Sequence, residues 1–216
     1  MSYKLQQNLS QPEQTLNFYE ITKIKTFWPI RLPKQLLFDE YRYQRVSNIN
    51  GLFDFKGVPI KTAFVPFSEF DCDNVLASRD EILKVNPHRF EMQLLDAILL
   101  MDDQRAVGYL DVSEEMFWIR GHFPDRPLMP GVLICESAAQ LSSYFAIKTG
   151  LVSNGVVGLG GLEEIRFRGP VVPGDRLVLM LKKGRSRPNA MFKADFQGYV
   201  NEKLVVDGTI KGVALV

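Results

Sequence analysis

The chain has 216 residues, 46% hydrophobic and 24% charged, which suits a globular protein with one sizeable core and room for a long extension. A formal net charge of +1 excludes nucleic-acid binding driven by bulk charge, although local patches stay open. Two cysteines, Cys72 and Cys135, exclude a disulfide framework and point to a reducing compartment. The polar opening residues and the absence of a bilayer-length apolar run lead us to expect a soluble cytoplasmic protein.

In chain order, residues 1–16 are mostly polar. Residues 17–80 are crowded with aromatics and broken by Pro29, Pro33, Pro59 and Pro66. So much aromatic area argues for packing rather than disorder. We expect short strands and turns there, with a helix near Lys34–Tyr43. We therefore divide the chain into an N-terminal extension, 1–80, and a domain, 81–216. EILKVNPHR reads as a short helix stopped before Pro87. LLDAILLMDD and AVGYLDVS read as strands joined by the polar turn Asp102–Arg105. FWIRGHFPDRPLMPG is a loop held by prolines and glycines. The one long helix follows, with Pro130 in its first turn and Gly150 as its stop.

Beyond it the chain turns to strands. In AMFKADFQ the residues Met191, Lys193, Asp195 and Gln197 alternate with Phe192, Ala194 and Phe196, so the first set should face solvent. RLVLMLKKG and KLVVDGTIKGVALV are further strands, with turns at Arg187-Pro188-Asn189 and Asn201-Glu202. This is an α+β domain, one helix on an antiparallel sheet.

Glu136 stands out, because its helix is apolar nearly all round and such a helix is buried. A carboxyl is rarely left inside unless paired or used, and burial would raise its pKa toward that of a general acid. The alternative is a glutamate at the exposed edge of the helix, touching Gln140 one turn on. His122 lies fourteen residues earlier in the loop that feeds the helix, and the chain has only two histidines. Gly131 opens the helix, where free backbone N–H groups can hold an enolate-like oxygen. Base, acid and oxyanion donor together are what abstraction of an α proton and expulsion of a β-hydroxyl require.

Gly121-His122-Phe123-Pro124, then Pro127, Met129-Pro130-Gly131-Val132-Leu133-Ile134, Glu136 and Ala139-Gln140 resemble the signature of FabZ-type 3-hydroxyacyl-acyl-carrier-protein dehydratases. Asn86-Pro87-His88-Arg89-Phe90 with Leu94-Leu95-Asp96 resembles that family's opening motif. Arg166-Phe167-Arg168 with Pro170-Val171-Val172-Pro173-Gly174-Asp175 resembles its later strand and turn. The likeness implies a hotdog fold, a sheet wrapped around one helix, and a homodimer with shared active sites, often assembled into a hexamer. It also implies that His122 of one subunit faces Glu136 of the other at the mouth of an acyl tunnel. His122 would remove the α proton, Glu136 would help protonate the departing hydroxyl, and the Gly131 amide would hold the thioester oxygen. Glutamate at 136 favours the FabZ type over the related FabA dehydratase-isomerases, which carry aspartate. The expected partner is an acyl carrier protein; no cofactor or metal is implied.

Other residues carry weaker signals. His88 reads as a structural histidine beside Pro87, with a second base as the alternative. Lys182, Lys183, Arg185 and Arg187 read as a solvated hairpin end. Carrier-protein docking is the alternative, with Lys148, Arg166 and Arg168 as further candidates. Phe123, Met129 and Phe167 are candidates for lining the acyl tunnel, or are plain core. Gly158-Leu159-Gly160-Gly161 is a weak echo of a nucleotide loop. Against a dehydratase stand two other readings: a hotdog thioesterase or hydratase acting on acyl-coenzyme A, and a non-catalytic scaffold that binds the carrier protein.

Overall fold

The computed structural model describes residues 61–153 and 155–215. The helix expected near Lys34–Tyr43 and the rest of the extension up to residue 60 lie outside the described residues. Among the described residues seven strands form one antiparallel sheet in the order β1-β2-β3-β5-β6-β7-β4. They are β1 (Ala77–Ser78), β2 (Ala97–Met101), β3 (Arg105–Asp111), β4 (Val156–Phe167), β5 (Arg176–Arg187), β6 (Met191–Val200) and β7 (Lys203–Leu215). A short helix α1 (Arg79–Leu83) follows β1, and the long helix α2 (Gly131–Lys148) packs on one face of the sheet. This is the hotdog architecture that the resemblance implied.

Local chemistry accounts for the boundaries. Helix α1 begins where Glu81 Oε2 accepts the Ser78 amide at 2.8 Å, and it stops short of Pro87. Asp102 closes the β2–β3 turn by accepting the amides of Gln104 and Arg105 at 2.8 and 2.6 Å. Pro130 caps α2 rather than entering its first turn, and Gly150 ends it at a φ of 73°, which glycine adopts without strain. The β6–β7 hairpin turns on Asn201 and Glu202, both in the left-handed region at 49° and 61°. The Gly158–Gly161 run is part of strand β4, not a nucleotide loop.

The sheet buries both faces. Toward α2, Leu177, Leu179, Leu181, Phe192, Ala194, Phe196 and Ile210 meet Ala138, Leu141 and Phe145 in the main core. On the opposite face, Leu99, Val107, Met180 and Tyr199 form a second cluster, and residues 63–72 close over it. Val65 is fully buried there, and the Phe67 ring stands edge-on to Tyr199 at 5.2 Å.

Polar contacts fasten that segment. Gln197 accepts the Phe64 amide at 2.9 Å and donates to the Thr62 carbonyl at 3.1 Å. Asp207, 1% exposed, holds both Lys61 and Arg168. The solvent-facing position expected for Gln197 is therefore wrong. The strand alternates as the sequence suggests, but the face it points to is covered here by the chain's own earlier residues. No helix among the described residues is long and apolar enough to cross a membrane.

Candidate active site

The site is built where the loop between α1 and β2 meets the side of α2. Gln140, 2% exposed, ties the two together. Its Oε1 accepts the Leu94 amide at 3.0 Å, and its Nε2 donates to the Met92 carbonyl at 2.7 Å. Its own backbone carbonyl takes Asn86 Nδ2 at 2.8 Å. Arg89 adds hydrogen bonds to the carbonyls of Leu83, Asn86 and His88, at 2.7–3.0 Å. A buried amide side chain with every contact satisfied costs little and fixes the loop in one place.

That fixed loop brings His88 to Glu136. His88 Nε2 lies 3.3 Å from Glu136 Oε1, at the long end of hydrogen-bond distance, and Gln140 Nε2 donates to the same oxygen at 2.9 Å. Glu136 is 22% exposed at its side chain, so it is neither the sealed carboxyl expected from its apolar helix nor a fully solvated one. The contact with Gln140 is the one that the edge-of-helix alternative anticipated.

The expectation of a raised pKa is overturned. The His88 ring beside it holds the Glu136 carboxyl below the usual carboxylate range; burial pushes the other way, and the Gln140 donor adds to the lowering. His88 is correspondingly more than a structural neighbour of Pro87. One signal in the sequence could have found it: His88 is the chain's only other histidine, and it sits in the Asn86–Asp96 stretch that resembles the family's opening motif.

A cavity of about 60 Å³ opens beside the pair, large enough for a few waters. Its walls include Ala139, Ser142 and Ser143 of α2, Val157–Leu159 of β4, Phe192 of β6 and Gly212 of β7. Ser137 and Ser142 donate back to the carbonyls four residues earlier, both at 3.0 Å. Ser143, 2% exposed, leaves its hydroxyl without a partner among the described residues.

The other expected site residues lie around this centre. His122 sits in the loop before α2, its Nδ1 2.7 Å from the Leu128 carbonyl, its ring stacked on Phe123 at 4.1 Å. Nδ1 is thus the natural carrier of the ring proton and Nε2 the free base. Among the described residues no hydrogen bond or ion pair joins His122 to Glu136 within one chain. Gly131 starts α2, and a Cβ there would meet the tip of the Phe167 ring at 2.6 Å, so this helix end has room only for glycine while the ring stays in place. Phe123 and Phe167 are about half exposed, whereas Met129 is buried in the main core; none of the three lines the cavity.

The docking candidates divide as well. Lys148, Arg166, Lys182 and Arg185 are exposed and Lys183 is half-buried. Arg168 is bonded to the buried Asp207 and 19% exposed, so its charge is already matched inside the fold. No group of three or more His, Cys, Asp or Glu among the described residues is arranged to hold a metal.

Comparison with known proteins gives a consistent picture. Residues 86–209, more than half of the chain, match the FabA-like domain family. The 3-hydroxyacyl-acyl-carrier-protein dehydratase FabZ of Sinorhizobium fredii is 39% identical over 144 residues, 65% of this chain and 92% of that one. FabZ of Agrobacterium fabrum is 38% identical over 131 residues, 60% of this chain and 84% of that one. Among solved structures, the dehydratase heterocomplex ApeI:P from Xenorhabdus doucetiae superposes with a TM-score of 0.55 at 15% identity, covering 62% of this chain and 91% of that one. A sigma28-regulated virulence protein from Campylobacter jejuni gives a TM-score of 0.50 at 19% identity, covering 67% and 95%. These structures share the fold. With the matched stretch running from the His88 loop through α2 to β7, the chain belongs to the FabA-like family and aligns with FabZ dehydratases over nearly their whole length.

Proposed function

We propose that this protein dehydrates (3R)-3-hydroxyacyl thioesters carried on an acyl carrier protein to trans-2-enoyl thioesters, in cytoplasmic fatty-acid or related lipid synthesis. The observation that carries the reading is Glu136: a carboxyl on a buried helix, fixed by Gln140 and open to a cavity beside that helix. In the reaction His122 Nε2 takes the α proton, and the electron pair left behind forms the double bond as the β C–O bond breaks. The Gly131 amide stabilises the thioester oxygen while it carries charge. Glu136, which takes up a proton from solvent before the step, gives it to the departing hydroxyl, which leaves as water, and His122 returns the α proton to solvent afterwards. In the reverse direction its carboxylate takes a proton from water.

The His122 that serves a given Glu136 belongs to a second copy of the chain. Two features favour this. No hydrogen bond or ion pair joins the two residues within one chain, and β4 is a twelve-residue edge strand that exposes Val156, Leu159, Leu162 and Phe167. A dimer that continues the sheet across this edge, alone or in a trimer of dimers, covers that apolar strip. Lys148, Arg166, Lys182, Lys183 and Arg185 remain the docking candidates for an acidic carrier.

The test is turnover of 3-hydroxybutyryl- and crotonyl-carrier protein by wild type, His122→Ala and Glu136→Gln. We expect each variant to lose at least about a hundredfold in rate. A folded wild type that binds the carrier but turns over neither short nor long chains would sink the enzyme reading and favour a scaffold.

A further inference from the structure

We infer that His88 is a positioning residue that divides the two oxygens of Glu136, anchoring Oε1 so that Oε2 is the reacting atom. The inference rests on the proposed role of Glu136, but its geometry stands by itself. Both donors near the carboxyl converge on one oxygen: Gln140 Nε2 at 2.9 Å and His88 Nε2 at 3.3 Å. Among the described residues Oε2 has no partner, and it belongs to a side chain that lines the cavity. A carboxyl free to rotate would present either oxygen; one held at Oε1 presents the other in a fixed direction, which is what a positioned proton transfer needs.

The tautomer of His88 follows from its surroundings. Its Nδ1 is buried with no hydrogen-bond partner. A lone pair left unpartnered there costs less than an N–H, so the ring's single proton belongs on Nε2, pointed at Glu136. The ring cannot drift away, because the loop carrying it is bonded to Gln140 at three points and closed by Arg89. Among the described residues the groups facing Glu136 are few. From the loop there is His88, with Arg89 turned to the carbonyls of Leu83, Asn86 and His88. From α2 itself there is the neutral Gln140. From β7, Lys211 lines the same cavity, and its ammonium is matched by Glu163. His88 is therefore the main group that favours the ionised carboxyl in the resting protein, with Gln140 adding to it, in line with a Glu136 pKa held below its ordinary value.

Two replacements separate position from bulk. His88→Phe fills the same space without a donor; His88→Gln keeps an N–H at a similar reach without a ring. The first measurement needs no turnover: the pH titration of the Glu136 carboxyl carbon by NMR in full-length protein, assigned with Glu136→Gln. We expect the midpoint to move upward in His88→Phe and to return toward wild type in His88→Gln. In carrier-bound turnover, His88→Phe should lower kcat about ten- to a hundredfold with KM within about twofold, the size expected for losing a hydrogen bond to a charged group. His88→Gln should recover most of that loss. A midpoint unmoved in a folded His88→Phe, or a folded His88→Gln no better than the phenylalanine variant, overturns the inference. If the midpoint moves as expected but wild type shows no turnover, the positioning stands and the dehydratase reading fails.

Discussion

Asp207 offers the sharpest test of how the residues ahead of the family-matched stretch are held. It is 1% exposed, on the face of the sheet away from α2, and it is shared by Lys61, 43% exposed, and Arg168, 19% exposed. Burial alone would push its carboxyl up, but the hydrogen bonds from Arg168 and Lys61 outweigh that and hold it below the usual range. Replacing it by asparagine leaves two cations facing a neutral amide. Lys61, the more exposed of the two, can turn to water; Arg168 has less freedom. Removing one partner of a buried ion pair costs about 3–5 kcal/mol. For a unit of this size that is a fall of about 6–20 °C in Tm.

The assay is thermal unfolding by circular dichroism at fixed protein concentration, repeated across pH. The folded carboxyl titrates below its unfolded value of 3.8, so its contribution is complete above that value and is lost as pH falls through the folded one. The gap between wild type and Asp207→Asn should be constant from neutral pH to about pH 5 and close below it. A gap under about 1 kcal/mol at neutral pH, or one that persists unchanged in acid, would refute the claim that Asp207 fastens this segment.

Gly131→Ala brings a Cβ to within 2.6 Å of the tip of the Phe167 ring, so the ring must shift, stability should fall by about 1–3 kcal/mol and turnover should fall with it; Phe167→Ala in the same chain should restore part of the rate. Gly212→Ala meets Phe192 at 2.3 Å, and that ring is buried, so melting should show a loss of about 1–3 kcal/mol. If His122 and Glu136 come from different copies, refolding equal amounts of His122→Ala and Glu136→Gln together should recover about a quarter of wild-type activity, because half the dimers are mixed and each holds one intact site. No recovery while mixed dimers form would place the pair within one chain.

The sequence by itself determined most of the course of the chain from residue 81 onward, although strand β4 over Val156–Phe167 was not among the patterns read. Alternation in β6 and the apolar helix closed by Gly150 are local patterns, and local patterns are written in residue order. His122, Gly131 and Glu136 could be singled out as candidates for the same reason, since they lie within fifteen residues of one another. What tertiary structure decided depends on residues far apart. The state of Glu136 is set by His88, 48 positions earlier, and by a loop bonded to Gln140, so a rule that buried carboxyls titrate high gave the wrong direction. Gln197 follows the polar side of its strand's alternation, yet it is buried because Thr62–Phe64 lies over it. Arg168 looked available for a carrier protein until Asp207, 39 residues on, was found to hold it. Sequence periodicity tells which face a side chain points to; only the fold tells what waits on that face.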